Sequence, residues 1–454
     1  MTWLKLSQIA EMTGGTLHGA DVAVESVSTD SRNTASAQLF IAIKGERFDA
    51  HDFVADLAGK AGGALVHKLI DCDLPQVLVE DTHKALGDLA AQWRKTLSLP
   101  VIALTGSNGK TTVKEMLASI LSEKGNVIAT IGNLNNDIGM PLTLLRMRKE
   151  HDFAVIEMGA NHFGEIAYLT QIAQPDVAIL NNAGAAHLEG FGDIKGVSRA
   201  KSEIFAGLSD SGVAILNGDD EYADYWNEVC EEKRTVIFGL ESGEDIRGEV
   251  LESGYLLINP HRHGIEVKLK LLGEHNAMNA LAATSAAVVV GATAEEIKAG
   301  LEKLQPVAGR LAPVDAKRGA ILIDDTYNAN PTSLQMGVNV LAKRKGTKIL
   351  VLGDMGELGD GVAQMHFDIG IQAKKAGIDH LYCLGKYSRQ ACEAFGEGFS
   401  NKPDGTQAKN FMEVDELIAT LEPLVQEKTT ILIKGSRAMK MERVVKAFSN
   451  KGDV

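Results

Sequence analysis

Apolar runs alternate with amphipathic stretches along the middle of the chain, and this alternation predicts strands followed by helices. The runs are VIALTG (101–106), FAVIEMG (153–159), DVAILNNAG (176–184) and GVAILNGDD (212–220). After the first run, Thr111 to Leu121 have the spacing of a helix with one apolar face. Continuous apolar strands separated by helices are typical of a mostly parallel sheet with helices on both faces. The pattern therefore predicts the α/β class.

The same alternation divides the chain into three blocks, and a length of 454 residues agrees with several domains. Residues 1–98 carry short strand-like runs, which predict a small α/β domain. Residues 99–311 form the predicted central domain. The stretch QPVAGRLAPV (305–314) carries two prolines and a glycine and predicts a hinge. Beyond it, residues 312–454 predict a second, Rossmann-like α/β domain, although no strand leads into a GxGxxG dinucleotide motif.

Composition excludes some classes of function. Acidic residues (60) outnumber basic ones (46), and this balance argues against a nucleic-acid partner, which would require a basic face. The four cysteines have no CxxC or zinc spacing, so we expect reduced, mostly buried thiols in a cytoplasmic protein. The amino-terminal residues do not resemble a secretory signal. The most apolar stretch, residues 280–292, is short and predicts a buried helix and no membrane insertion.

A glycine-rich loop, TGSNGKTT (105–112), lies between the first central strand and its helix. In this context backbone N–H groups and the helix N-terminus surround phosphate oxygens. Lys110 is placed to reach the β- and γ-phosphates of ATP, and the Thr111 hydroxyl to bind Mg²⁺. The general P-loop pattern has glycine where this chain has Leu104, and Gly106 stands nearby instead. A turn that only caps the helix is the alternative interpretation.

Glu157 ends the apolar run of another predicted strand. The carboxyl ends of parallel strands meet at one edge of a sheet, so its carboxylate is expected beside Thr111 as a Mg²⁺ ligand. The alternative role for such an acidic residue is to cap the following helix. The combination with the GKTT sequence favours the metal site.

Further motifs extend over almost the whole chain. They are STDSR (28–32), LFIAIKGERFDAHDF (39–53), GNLNNDIGMPLTLL (132–145), VIEMGAN (155–161), NAGAAHLEGFG (182–192), AKSEIF (200–205), GEHNAMNALAA (273–283), GR (309–310), DDTYNANPTSL (324–334), LGDMGELG (352–359) and KGSR (434–437). In this order, and with the phosphate loop, they resemble the Mur ligase family. The resemblance implies a cytoplasmic ATP-dependent enzyme that joins a carboxylate to an amine through an acyl-phosphate in peptidoglycan precursor synthesis.

Two motifs resemble the branch of the family that adds the terminal dipeptide. The first block, with Ser31 and Arg32, is similar to the UDP-binding domain of the ligases for the third residue and the dipeptide. The motif around Asn135 and Asn136 is similar to that of the dipeptide-adding members, and the sequence lacks the DNPR motif of the third-residue ligases. The resemblance therefore implies UDP-N-acetylmuramoyl-tripeptide, D-alanyl-D-alanine and ATP as substrates.

The resemblance also implies a second Mg²⁺, held by His187 and by Lys201 as a carbamate formed with CO₂. Carbamate formation needs a neutral amine, which burial near other cations favours. Arg310 corresponds to a residue that contacts the γ-phosphate when the domains close. The catalytic residues implied in this way are Lys110, His187, Lys201 and Arg310.

The remaining implied site residues fall into three groups. Those for ATP are Thr105, Gly106, Ser107, Asn108, Gly109, Lys110, Thr111, Thr112, Asn276, Asn279, Arg310, Asp325, Tyr327 and Asn330. Those for the other substrates are Ser31, Arg32, Asn135, Asn136, Lys434 and Arg437. Those for the two Mg²⁺ ions are Thr111, Glu157, His187 and Lys201.

Three alternatives remain open from the sequence. The nearest are a third-residue Mur ligase and an amide ligase of the folylpolyglutamate synthase type. The third is a different class, a P-loop switch that binds a nucleotide without ligation. We expect a monomer in each case. The third residue of the accepted tripeptide is not determined by the sequence.

Overall fold

The computed structural model describes residues 3–45, 47–260, 264–396 and 407–450, so Glu46 of the second motif lies outside them. In these ranges the strands form three large sheets that follow one another along the chain, together with one two-stranded ribbon. None of the described helices is long and apolar enough to cross a bilayer. The four cysteines are free, and three of them are buried, as the sequence predicted.

The first sheet has the order β2-β7-β6-β5-β4. The elements of this part are β1 (Leu4–Lys5), α1 (Leu6–Thr13), β2 (Thr16–His18), β3 (Ala23–Val24), β4 (Ser26–Ser28), β5 (Gln38–Ile41), β6 (Gly63–Val66), β7 (Gln76–Leu78) and α2 (Thr82–Lys95), with 3₁₀ turns at Ala50–Phe53 and Ala55–Leu57. Strands β4 to β7 are parallel, and β2 is antiparallel to β7. Asp81 caps the start of helix α2, because its carboxylate accepts hydrogen bonds from two backbone N–H groups. Its apolar face packs on α1 and on central helices, which joins the first sheet to the second.

The central sheet has nine strands in the order β16-β15-β14-β13-β12-β11-β8-β10-β9. Its elements are β8 (Val101–Thr105), α3 (Lys110–Ser122), β9 (Val127–Ala129), α4 (Gly139–Leu144), β10 (Phe153–Glu157), α5 (Glu165–Ala173), β11 (Val177–Leu180), α6 (Leu188–Phe191), α7 (Ile194–Ser202), a 3₁₀ turn (Glu203–Gly207), β12 (Val213–Asn217), α8 (Ala223–Val229), β13 (Arg234–Gly239), β14 (Ile246–Val250), β15 (Leu256–Pro260), β16 (Ile265–Val267), α9 (Glu274–Val289) and α10 (Ala294–Lys303).

Helices cover both faces of the central sheet because alternate residues of its inner strands point to opposite sides. In β8, Ile102 and Leu104 belong to the core shared with α3 and α9, whereas Val101 and Ala103 belong to the core shared with α5. The strands from β9 to β14 are parallel, but β15 and β16 continue the sheet in antiparallel order. This edge was not predicted. Its strands alternate buried and more exposed residues, so they lack the continuous apolar runs of the others.

The last sheet has the order β17-β18-β22-β19-β20-β21, and only β17 is antiparallel. Its elements are β17 (Ala312–Asp315), β18 (Ile321–Asp325), α11 (Pro331–Ala342), β19 (Thr347–Gly353), α12 (Val362–Lys375), β20 (His380–Leu384), α13 (Arg389–Phe395), β21 (Gln407–Phe411), α14 (Val414–Leu421), β22 (Thr429–Lys434) and α15 (Glu442–Phe448), with 3₁₀ turns at Lys317–Gly319, Gly359–Gly361, Glu422–Leu424 and Arg437–Met439. The predicted α/β class is confirmed. Each large sheet lies within one predicted block, and the exact domain boundaries remain a prediction.

Candidate active site

The phosphate loop connects the end of β8 to the start of α3. Gly109 adopts a left-handed conformation with φ of 79°, and a Cβ atom there would overlap the Asn279 Oδ1 atom. Glycine therefore provides both the backbone conformation and the space that the loop needs. The Lys110 Nζ atom donates a hydrogen bond of 2.7 Å to the Gly106 carbonyl, so the side chain folds back over the loop. Burial lowers the pKa of Lys110, and the carboxylate of Glu157 opposes that shift.

Two asparagines after β11 hold the tip of the loop. Asn182 Oδ1 accepts a 2.8 Å hydrogen bond from the Asn108 N–H, and its Nδ2 donates to the Asn108 carbonyl at 3.0 Å. The Asn181 Nδ2 atom donates to the same carbonyl at 3.0 Å. The sequence interpretation did not identify these two residues as part of the site. The available signal was their position, directly after an apolar strand that pairs with β8.

Helix α9 supports the loop from the other side. Asn279 Oδ1 accepts a 2.9 Å hydrogen bond from Asn181 Nδ2, and its own Nδ2 donates to Asn276 Oδ1 at 3.0 Å. Asn276 in turn donates to the Leu272 carbonyl at 2.7 Å. The prediction that these two asparagines share a helix face is confirmed. Their contacts with ATP remain a prediction.

A cleft of about 410 Å³ opens beside this loop, between the carboxyl ends of the central strands and the last sheet. It brings together most of the residues predicted for the site. Those that line it are Ser107, Asn108, Gly109, Lys110, Thr111, Thr112, Asn135, Asn136, Glu157, His187, Asn276, Asn279, Arg310, Asp325, Tyr327, Asn330 and Lys434. The cleft is large enough for part of a nucleotide and a second substrate.

Glu157 is almost fully buried at the end of β10. Its Oε1 atom accepts a 2.8 Å hydrogen bond from Asn135 Nδ2, whereas Oε2 is buried and has no hydrogen-bond partner among the described residues. A buried carboxylate oxygen without a partner is costly, and a cation would satisfy it. Thr111 lines the same cleft at the start of α3. These two residues therefore fit the predicted Mg²⁺ site.

Lys201 is fully buried in α7 and does not line the cleft directly. Its Nζ atom approaches the carbonyl of Ala160, a cleft residue, at 3.4 Å and lies 5.5 Å from the centre of the Phe191 ring. Burial lowers the pKa of Lys201 to about 7, and the positive charge of Lys110 adds to the shift. Much of the amine is therefore neutral near pH 7. This is the form that reacts with CO₂, so the residue fits the predicted carbamate.

His187 lies after β11 with a left-handed backbone, at φ of 53°. Its Nδ1 atom lies 2.6 Å from the Glu357 carboxylate, which belongs to the loop after β19. The hydrogen bond from His187 lowers the pKa of Glu357. Glu357 lines the cleft but was not predicted as a site residue, because only its contact in space with His187 distinguishes it from other surface acids.

Arg310 of the hinge and Asp325 of β18 line the cleft together with the phosphate loop. The Arg310 guanidinium stacks on the Tyr327 ring at 3.8 Å and donates a 3.3 Å hydrogen bond to the Thr111 hydroxyl. Burial lowers the pKa of Arg310. Asp325 forms a buried ion pair of 2.6 Å with Lys434. A ribose hydroxyl of ATP that bound Asp325 would therefore share its carboxylate with Lys434.

Asn330 connects the last sheet to the loop through its side chain. It caps helix α11 by accepting a 2.8 Å hydrogen bond from the Ser333 N–H, and its Nδ2 atom donates to Asn108 Oδ1 at 2.9 Å. This contact crosses from one predicted domain to another. Together with the Arg310 contact, it holds the hinge and the start of α11 against the phosphate loop.

Besides Lys201, five of the predicted site residues do not line the cleft. They are Ser31, Arg32, Thr105, Gly106 and Arg437. Thr105 donates its hydroxyl to the Met158 carbonyl at 2.8 Å, and Gly106 contributes its carbonyl to Lys110. Arg32 is exposed and donates from Nε and Nη2 to the two carboxylate oxygens of Asp30, which lowers the Asp30 pKa to about 2. Ser31 stands beside it on the same turn. Arg437 is also exposed and pairs with Glu442 at 3.5 Å.

Two domain families match this chain over the parts that build the cleft. The Mur ligase middle domain matches residues 104–287, and the glutamate ligase domain of Mur ligases matches residues 309–437. The UDP-N-acetylmuramoyl-tripeptide–D-alanyl-D-alanine ligase of Escherichia coli K12 is 44% identical over 468 aligned positions, which cover all of both chains. The chain belongs to the Mur ligase family.

Solved Mur ligase structures share the whole arrangement. MurF from Acinetobacter baumannii is 39% identical, covers 98% of each chain and superposes with a TM-score of 0.91. The MurF ligase from Thermotoga maritima, solved in complex with ADP, is 30% identical with a TM-score of 0.81 and covers 93% of this chain and 97% of its own. The predicted family and the three-part Mur ligase fold are therefore both confirmed.

Proposed function

We propose that this Mur ligase uses ATP to join D-alanyl-D-alanine to UDP-N-acetylmuramoyl-tripeptide, with release of ADP and phosphate. The observation that carries the proposal is the full-length identity of 44% with an Escherichia coli enzyme named for this reaction. The cleft supports it, because a phosphate loop and cations from two sheets converge there. The product is a precursor of peptidoglycan.

The phosphate loop binds the ATP phosphates. Its backbone N–H groups and the N-terminus of α3 provide the donors, and the Lys110 ammonium supplies positive charge. Arg310 lies against the start of the same helix and adds a second cation where the γ-phosphate would lie. Asn276, Asn279, Asp325, Tyr327 and Asn330 complete the nucleotide site, together with Thr105, Gly106, Ser107, Asn108, Gly109 and Thr112 of the loop.

Two Mg²⁺ sites flank this loop in the proposal. Thr111 and Glu157 hold the first ion, and His187 and the Lys201 carbamate hold the second. The Oε2 atom of Glu157, which has no hydrogen-bond partner in the described part of the chain, and the lowered pKa of Lys201 support these assignments. When bound, the ions supply positive charge that offsets the charge of the transferred phosphoryl group.

The reaction proceeds in two displacements. An oxygen of the terminal tripeptide carboxylate attacks the γ-phosphorus of ATP, and the bond to the β-phosphate oxygen breaks to release ADP. The free amine of D-alanyl-D-alanine then attacks the activated carbonyl carbon. The tetrahedral intermediate releases phosphate, the nitrogen loses its proton, and an amide remains. Lys110 and Arg310 stabilise the charge that develops in the first step.

Each of the three blocks binds a different part of the substrates. Residues 1–98 hold the UDP part through Ser31 and Arg32, and residues 99–311 hold ATP and the peptide, the latter with Asn135 and Asn136. Residues 312–454 close on ATP and receive the dipeptide near Lys434 and Arg437. Closure positions the reactants and excludes water that would hydrolyse the acyl-phosphate, and orientation of two reactants contributes up to roughly 7–11 kcal/mol. The enzyme acts as a cytoplasmic monomer that binds no nucleic acid.

The reaction is tested by mass spectrometry of the product formed from the UDP-tripeptide, ATP, Mg²⁺ and D-alanyl-D-alanine. We expect the pentapeptide product and one phosphate per amide. In parallel, ¹⁸O in the tripeptide carboxylate should appear in the released phosphate. Phosphate release with single amino acids or glutamate, but not with the dipeptide, would instead indicate a third-residue or folylpolyglutamate-type ligase. Hydrolysis of ATP without either acceptor would indicate a nucleotide switch.

A further inference from the structure

His187 and Glu357 meet from distant parts of the chain at the edge of the cleft. The His187 Nδ1 atom lies 2.6 Å from Glu357 Oε2, and the backbone N–H of Glu189 approaches the Glu357 carbonyl at 3.4 Å. The loop after β19 is therefore held against the segment after β11 by both a side chain and the backbone. The contact connects the predicted central domain to the last one.

Backbone strain is concentrated at the same place. Among the described residues, seven other than glycine have a positive φ, and three of them, His187, Leu311 and Glu357, line the cleft. The φ values of His187 and Glu357 are 53° and 62°. Side chains disfavour this conformation, so it persists where the surrounding structure enforces it, and such residues cluster at functional sites.

The contact decides which imidazole nitrogen of His187 is available. A carboxylate accepts hydrogen bonds only, so the proton of the ring must lie on Nδ1. In the neutral ring, Nε2 then carries the lone pair, which is the form of histidine that binds a metal ion. A carboxylate that receives the other ring N–H is the usual partner of a metal-binding histidine, because it fixes the orientation and the tautomer of the ring.

The other carboxylates at the cleft have different partners. Glu157 binds Asn135, and Asp325 binds Lys434. Glu165 accepts from the Asn161 N–H at 2.8 Å and pairs with the exposed His162. Among the described acids lining the cleft, Glu357 is therefore the one that pairs with His187.

We propose that Glu357 is a positioning residue that orients His187 to bind the second Mg²⁺. Because Glu357 belongs to the last block, that metal site is complete only when this block is closed over the phosphate loop. The inference rests on the proposed function, since the ion serves the phosphoryl transfer. It assigns to the LGDMGELG motif a role in orienting a metal-binding histidine.

The experiment measures Mn²⁺ binding to the full-length enzyme with ADP and the UDP-tripeptide, using the electron paramagnetic resonance signal of free Mn²⁺. We expect two Mn²⁺ per wild-type chain. Glu357→Ala should weaken the second Mn²⁺ by about 10- to 100-fold, the usual effect of removing the partner of a metal-binding histidine. Glu357→Gln should stay within about threefold of wild type, because its amide oxygen still accepts the Nδ1 proton.

Asp360→Asn is the matched control, because Asp360 is an exposed acid on the same loop and does not line the cleft. Its Mn²⁺ affinities should equal those of wild type. The thermal unfolding midpoint of each variant shows whether the fold is intact. Glu357 is partly exposed, so we expect no substantial change.

Three results would overturn the inference. One is an unchanged second Mn²⁺ affinity in Glu357→Ala, and another is an equal loss in the Gln and Ala variants. The third is a wild type that forms the ligation product but binds a single Mn²⁺. A higher KM for the dipeptide with normal Mn²⁺ binding would assign Glu357 to the substrate instead. Failure of the proposed function has a different signature, which is the absence of ligation product in the wild type.

Discussion

At the scale of single residues, the site depends on charged groups that the fold removes from water. Lys201 and Lys434 are buried, Lys110 and Arg310 are half-buried, and the loss of contact with water lowers the pKa of all four. Burial of a cation is costly, so each is expected to have a compensating partner. For Lys434 the partner is Asp325, and for Lys201 no carboxylate lies within ion-pair distance in the described structure. Complete burial and a pKa lowered to about 7 make the Lys201 amine suited to chemical modification.

Lys201→Ala should reduce ligation by about 100-fold or more, because the variant cannot form the proposed carbamate for the second Mg²⁺. The measurement is the rate of phosphate release with all three substrates. Lys195→Ala is the control, since Lys195 is exposed on the same helix. Near-normal turnover of the Lys201 variant would exclude the carbamate role. Partial recovery of activity with added short-chain carboxylates would support it.

His275 is predicted to make stability depend on pH. Burial lowers its pKa from 6.5 to about 4, while nearby Asp325 opposes the shift and Lys434 adds to it. As the pH falls below 6.5 the unfolded chain is protonated first, so stability is full above that pH and is lost on the way to pH 4. Over this pH range the free energy of unfolding falls by roughly 3 kcal/mol.

Urea unfolding at several pH values tests this effect in wild type and His275→Gln. The variant should lose less stability than wild type between pH 6.5 and pH 4, because glutamine takes up no proton. The difference in the free energy of unfolding between wild type and His275→Gln should be constant above pH 6.5. An identical pH dependence in both proteins would contradict the assignment.

At the scale of elements, the phosphate loop is shaped by asparagines from two neighbouring elements. Asn181 and Asn182 follow β11, and Asn279 lies on α9, so the loop is held from both sides. The Gly109 Cα atom faces this network without room for a side chain. The loop conformation is therefore set before ATP arrives, which reduces the ordering cost of binding.

Gly109→Ala should weaken ATP binding by at least about tenfold, because the new methyl group displaces Asn279 and strains a left-handed backbone. Gly291→Ala is the matched control. Gly291 also has a positive φ, of 82°, but its Cβ position is open. The Gly291→Ala variant should lose about 1 kcal/mol in free energy of unfolding and should bind ATP as tightly as wild type. Calorimetric titration with ATP measures the difference, and equal affinities in the two variants would contradict the steric argument.

At the scale of the whole molecule, the cleft exists because the last sheet lies against the central one. Asn330 and Glu357 each contact the central part from the last block, and Arg310 of the hinge contacts Thr111. These contacts are polar, which is typical of domains that open and close. ATP bound between the two sheets would add further contacts between the last block and the central part. Nucleotide binding and closure should therefore stabilise each other.

Asn330→Ser tests the closed arrangement with little effect on the helix. Serine still caps α11 but is too short to reach Asn108, so only the cross-domain hydrogen bond is lost. A net hydrogen bond contributes about 1 kcal/mol, so we expect kcat/KM for ATP to fall about fivefold. Asn330→Ala should lose thermal stability as well, because it also removes the cap. Unchanged kinetics in Asn330→Ser would show that this contact does not support closure.

The sequence alone determined the central fold and the position of the phosphate loop. A strand, a glycine loop and a helix are consecutive in the chain, so local spacing and apolar periodicity specify them. The antiparallel edge formed by β15 and β16 was missed, because short, half-exposed strands lack a continuous apolar pattern. The ligase motifs also followed from sequence, since they occur in a fixed order.

Only the tertiary structure decided which side chains meet at the site. Glu357 lies next to His187, and Asn330 next to Asn108, although the members of each pair are far apart in the chain. It also showed that Lys434 pairs with Asp325. Such pairings depend on how the sheets pack against each other. The pattern of polar and apolar residues fixes which face of an element is buried, but it does not specify the neighbour on the other side of the cleft.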